Sequence, residues 1–122
     1  MTFCTAITCM DGRVQMPVNQ FLQSRFSVKW VDTITEPGPN GILAEDILSE
    51  TFKSILHRLN ISIDGHGSVG VAIIGHHDCA GNPSGETRQK EQIQQSIKNL
   101  KAHVAIEIIG LWVDSNWIVH EL

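Results

Sequence analysis

Two rhythms of apolar and polar residues run along this chain, and the switches between them mark its elements. Residues 3–8 (FCTAIT) are apolar and rich in β-formers, which predicts a buried strand. Pro17 opens a helix predicted over residues 17–26, with Phe21, Leu22 and Phe26 on one side. Residues 28–35 (VKWVDTIT) alternate and carry β-branched side chains, as a second strand would. The breaker cluster Pro37-Gly38-Pro39-Asn40-Gly41 precedes a long helix expected over residues 42–59. Its Leu48, Phe52, Ile55 and Leu59 recur at helical spacing. After a turn at 64–67, residues 69–75 (VGVAIIG) are continuously apolar, as expected of a central strand covered on both faces. A loop at 81–85 leads into a Gln-rich amphipathic helix with Ile93, Ile97 and Leu100 facing inward. Residues 105–113 predict another strand, 114–116 a turn, and 117–120 a last strand that pairs back on it.

Strands alternating with helices predict a three-layer α/β domain, with a mainly parallel sheet, helices on both faces and an antiparallel C-terminal edge strand. Right-handed crossovers place the first and third strands side by side, in an order such as 2-1-3-4. Their carboxyl ends then meet at a topological switch point, where open α/β sheets bind ligands. No repeat, low-complexity tract or linker divides the sequence, so residues 1–122 are expected to form a single domain.

Composition narrows the function classes. A net charge of −4, with nine dispersed Lys and Arg, argues against a nucleic-acid partner, which needs a clustered basic surface. No apolar run approaches the roughly 20 residues that span a bilayer. The opening Met1-Thr2-Phe3-Cys4 enters a strand-like run without the basic start of a signal peptide, so a cytoplasmic protein is expected. Three cysteines without framework spacing fit thiols or thiolates better than disulfides.

Two short motifs follow the predicted ends of the first and third strands: Cys9-Met10-Asp11-Gly12-Arg13 and His76-His77-Asp78-Cys79. Each alone is weak. At adjacent strand ends they bring two thiols and an imidazole around one point, a set that zinc accepts, leaving a fourth position open. The competing reading makes Cys9 and Cys79 small buried core residues, the role expected of Cys4. Asp11 either ligates the metal and closes the site or accepts a hydrogen bond from metal-bound water. Arg13 can hold Asp11 in a bidentate pair and draw it off the metal. The plainer alternative for the two is a surface ion pair. His77 either orients a ligand or faces solvent. His57, His66, His103 and His120 have no partner motif.

These residues resemble the zinc signature of the β-class carbonic anhydrases, C-x-D-x-R followed by G-H-x-x-C-G, which here reads Cys9 to Arg13 and Gly75 to Ala80. The segment Gly110-Leu111-Trp112-Val113-Asp114 is similar to the family's closing G-x-x-Y-D turn. The resemblance implies one Zn²⁺ per chain on Cys9, His76 and Cys79, and a catalytic dyad of Asp11 and Arg13. It implies a hydro-lyase that reversibly hydrates carbon dioxide to bicarbonate through zinc-bound hydroxide, in a homodimer or larger assembly. Two thiolates and an imidazole leave the metal formally neutral, so activity is expected to rise in alkaline solution. The chain departs from the family at Thr35-Glu36-Pro37-Gly38, where R-N-A-G is common, and at Ala80, where glycine is usual. Two other readings stay open: a hydrolase of carbonyl sulfide or carbon disulfide with the same zinc site, and a non-catalytic zinc-stabilised module closed by Asp11. Thiol redox chemistry is disfavoured, because Cys9 and Cys79 lack C-x-x-C spacing.

Overall fold

The computed structural model describes residues 2–122. Strand β1 (Phe3–Cys9) is buried beyond its first residue and lies inside the sheet, with a strand on either side. Helix α1 (Gly12–Phe26) follows at once, because the Asp11 side chain accepts the Arg13 backbone N–H and caps the first turn. That cap overrides the start expected at Pro17, which lies inside the helix instead. There the proline gives up its own N–H bond and crowds the Arg13 carbonyl one turn back, a cost that the cap and the buried Val14, Val18 and Leu22 offset. Strand β2 (Trp30–Glu36) pairs parallel to β1 along its whole length.

The long helix expected over residues 42–59 is two helices. Helix α2 (Pro39–Glu45) starts within the breaker cluster, with Gly38 left-handed at φ 63° and Pro39 in its first turn. Helix α3 (Glu50–His66) starts after a break in which two side chains capture backbone donors. The Asp46 carboxylate accepts the Leu48 N–H at 2.9 Å, and Ser49 Oγ accepts the Phe52 N–H at 3.0 Å. Both bonds compete with a continuous helix. Leu48 therefore falls outside the apolar stripe and is 73% exposed, whereas Phe52, Ile55 and Leu59 are buried as expected. Helix α3 also runs through the turn expected at 64–67 and stops at Gly67, left-handed at φ 66°.

Strand β3 (Gly70–His76) is buried at every position, and helix α4 (Glu86–Lys101), strand β4 (Glu107–Val113) and the short β5 (Val119–Glu121) complete the chain. The sheet order is β2-β1-β3-β4-β5, parallel except for the antiparallel β4–β5 pair. Alternate strand residues face opposite layers. Cys4, Ala6, Ala72, Ile74 and Leu111 meet Val14, Val18 and Leu22 of α1 on one side. Ile7, Val71 and Ile73 meet Leu43, Phe52, Ile55, Leu59 and Leu100 on the other. One helix thus covers one face and three cover the opposite face. β1 has β2 on one side and β3 on the other, so the switch point lies between β1 and β3, where Cys9 and His76 end their strands.

Candidate metal centre

Cys9 is the last residue of β1 and His76 the last of β3, and Cys79 follows in the next turn. Their ligand atoms all lie within 4.8 Å of one another, and all three side chains are buried. The turn after His76 places Asp78 in left-handed backbone at φ 56°, which brings Cys79 back under the strand end. The two thiols stand 3.7 Å apart, Sγ to Sγ. Two zinc–sulfur bonds of about 2.3 Å at the tetrahedral angle would separate their sulfurs by about 3.8 Å. The spacing therefore fits shared coordination.

The imidazole is set up in the same sense. His76 Nδ1 stands 2.7 Å from the His77 carbonyl, which can only accept, so that nitrogen carries the proton. Nε2 is left with a free lone pair and is buried without a hydrogen-bond partner. An orphaned acceptor beside two thiols is what an ion-binding pocket presents. His77 contributes its backbone carbonyl, while its side chain is exposed. Burial works against ionising Cys9, but a hydrogen bond from His76 when its ring is protonated, together with the backbone of Gly38 and Asp11, outweighs it and lowers the thiol to about 7. Burial and the adjacent Cys9 push Cys79 upward. A thiolate near neutral pH suits a borderline-soft divalent ion. Cys4, fully buried in the sheet, is pushed up to about 11 by burial and by Asp32, and stays a neutral core thiol.

Asp11 is outside the converging three. Arg13 Nη2 donates to its Oδ2 at 2.7 Å, and Arg13 Nε and backbone N–H donate to its Oδ1 at 3.1 and 2.9 Å. The Arg13 hydrogen bonds hold the carboxyl down at about 2. Arg13 also reaches the Asp78 carbonyl at 3.1 Å and stacks over Trp117, 4.4 Å from its ring centroid. It therefore braces α1, the Cys79 turn and the β4–β5 connection together, which is more than a loose surface pair. Trp112 is buried, and Trp117 packs partly buried against the α1 core.

The family described as "Putative carbonic anhydrase" matches residues 1–122. The chain belongs to this carbonic anhydrase family. Two solved structures share its fold. The β-carbonic anhydrase CafA of the fungal pathogen Aspergillus fumigatus is 12% identical at a TM-score of 0.53, over 99% of this chain and 75% of that one. A tetrameric β-carbonic anhydrase of the filamentous ascomycete Sordaria macrospora is 11% identical at a TM-score of 0.54, over 98% of this chain and 79% of that one. No curated protein matches the sequence.

Three features around Cys9, His76 and Cys79 were not anticipated from the sequence. Gln15 Nε2 donates to the carbonyls of Cys9 at 2.8 Å and Asp11 at 2.9 Å, pinning the turn between β1 and α1. The loops after β2 and β3 touch closely: a Cβ on Gly38 would lie 2.9 Å from the Gly81 backbone, and one on Gly81 would lie 2.5 Å from Pro37. This contact accounts for glycine at positions 38 and 81. Finally, Asn40, Asn82, Gln89 and Gln92 are all buried behind His76. In α4, Gln89, Gln92, Ile93, Ser96 and Leu100 fall on one helical stripe, a signal hidden because its first members are polar. Two surface clefts, of about 300 and 450 Å³, are lined by other residues, including Asp32 and Arg58 in one and Glu86 and His120 in the other. No helix among the described residues is long and apolar enough to cross a membrane.

Proposed function

We propose that this chain is a zinc-dependent carbonic anhydrase that interconverts carbon dioxide and bicarbonate, with one zinc per chain on Cys9, His76 and Cys79. The buried trio carries the reading: two thiols at tetrahedral spacing beside an imidazole nitrogen with a free lone pair and no partner. Zinc held there supplies a Lewis acid that acidifies water at the remaining position. Asp11, ionised at neutral pH, is the acceptor that orients the attacking water. Arg13 keeps that carboxylate ionised and turned away from the trio. A site closed by Asp11 would have to break those guanidinium bonds and the helix cap together, so an open fourth position is favoured.

We read the assembly as a homodimer or larger and the location as cytoplasmic. The Sordaria macrospora enzyme is tetrameric, and exposed Trp30 on edge strand β2 offers an apolar contact. A single-chain mass in sedimentation velocity would count against this assembly. Three free cysteines support a reducing compartment.

Stopped-flow hydration of carbon dioxide, on protein verified to hold one zinc per chain, tests the activity. The rate is expected to rise toward alkaline pH, and Asp11→Ala is expected to lower it by about 100-fold, the scale of a lost proton-handling group. A background rate at every pH, with zinc bound, would overturn the reading. Turnover of carbonyl sulfide or carbon disulfide would then be the next assay.

A further inference from the structure

Behind the ligand histidine the interior is polar, and one side chain organises it. Gln89 lies in the first turn of α4 and is 1% exposed. Its Oε1 accepts the backbone N–H of His76 at 3.2 Å, and its Nε2 donates to the backbone carbonyl of the same residue at 2.9 Å. A single amide thus closes on both backbone groups of His76. The second Nε2 hydrogen goes to the Ser84 carbonyl at 3.0 Å, with the Asn82 carbonyl near it at 3.4 Å. Asn40 Nδ2 donates to Oε1 at 3.2 Å from α2. Only an amide meets this demand, because the site needs an acceptor facing two N–H donors and a donor facing three carbonyls. The space exists because Gly75 has no side chain: a Cβ there would lie 2.8 Å from Asn40 Nδ2 and 2.9 Å from Gln89 Oε1.

We propose that Gln89 is a positioning residue for the metal centre: its amide clamps the His76 backbone to the segment after Cys79 and so sets where both ligands stand relative to Cys9. This inference rests on the reading of Cys9, His76 and Cys79 as metal ligands. The clamp works through two short lever arms. The His76 backbone sits one side chain away from Nε2, and residues 82–84 lie just past Cys79. Any drift of the strand end would move His76 relative to Cys9, and β3 is paired with β1 only from Val71 to Ile73, so the His76 backbone is left for the Gln89 amide to serve.

Gln92 provides the comparison. It is equally buried on the same helix, but its Oε1 bonds only to Asn82 Nδ2, at 2.7 Å, and it does not touch His76. Gln89→Met and Gln92→Met keep the side-chain volume and remove the amide. Zinc affinity is measured by competition with a chromophoric chelator, and ligand geometry by the visible absorption of the cobalt(II)-loaded protein, alongside thermal melting. Gln89→Met is expected to weaken zinc binding about ten-fold and to shift the cobalt spectrum. Gln92→Met is expected to lower the melting temperature and leave zinc affinity and spectrum unchanged. Equal zinc affinities and superimposable cobalt spectra for Gln89→Met and wild type would overturn the clamp and leave Gln89 a fold staple. Should Gln89→Met not fold, wild-type zinc protein decides by NMR. Side-chain amide protons of Gln89 that exchange far more slowly than those of exposed Gln94 support the clamp, and equal exchange overturns it. Wild-type protein that takes up no zinc would instead remove the ligand reading itself, and the clamp with it.

Discussion

The two turns that carry the ligands are held in opposite ways. The turn after β1 is local: Asp11 caps α1, Arg13 grips Asp11 two residues away, and Gln15 binds the Cys9 and Asp11 carbonyls. The turn after β3 depends on distant groups: Gln89 thirteen residues on grips His76, and Asn40 of α2, 49 residues from Gln89, supports it. One turn is a helix start with a thiol attached. The other is a strand end whose loose backbone groups are satisfied by one buried amide of α4, itself held by a second from α2. A ligand can therefore be positioned either by capping chemistry written in adjacent residues or by tertiary hydrogen bonds, and the second route needs the fold in place first.

The largest expected effect treats the turns alike. Cys9→Ser and Cys79→Ser should each lower zinc affinity by about 100-fold or more, since each removes one thiolate from a site whose binding energy is shared among few ligands. Equilibrium dialysis against zinc measures both. A variant that keeps wild-type affinity would show that its thiol is a core residue and break the pairing of the two turns.

A methyl group separates them more sharply. Gly75→Ala drives a Cβ into Asn40 and Gln89, and should cost about 1–3 kcal/mol by overpacking. Gly12→Ala, in the first turn of α1, meets nothing within 4 Å and should raise stability by about 0.5 kcal/mol. Urea unfolding of the two variants checks this. Equal changes would mean that the β3 turn is not held by close-packed amides.

The smallest effect isolates the charge in the β1 turn. Asp11 has a folded pKa of about 2, below the ordinary value near 3.9, so its ion pair stabilises the fold above pH ~4. That contribution is lost as pH falls from about 4 through 2. It should stay below about 1 kcal/mol, because Arg13 is half exposed. Asn is as good a helix cap, so Asp11→Asn keeps the turn and removes only the charge. On metal-free protein, the stability gap between wild type and Asp11→Asn should shrink across that acid range. A gap that stays constant would assign the role of Asp11 to capping alone.

By itself the sequence determined the strands, their order and the identity of the buried trio. Apolar runs such as residues 70–76 have one stable fate, between two layers, and right-handed crossovers leave little freedom in strand order. Cys9 and His76 then meet because both end adjacent strands. Two misplaced helix boundaries had local causes, and the tertiary structure alone decided the buried amides. Pro17 was no helix start because the Asp11 cap reached further back, and Leu48 left the apolar stripe because Asp46 and Ser49 captured the donors a continuous helix needed. Gln89, Asn40 and Asn82 carry no mark in one dimension, since a buried amide looks like a surface one until the carbonyls and N–H groups it serves are brought to it. Hydrophobic burial is set by each segment's own pattern, whereas polar satisfaction belongs to pairs of groups far apart in the chain, and only folding brings those pairs together.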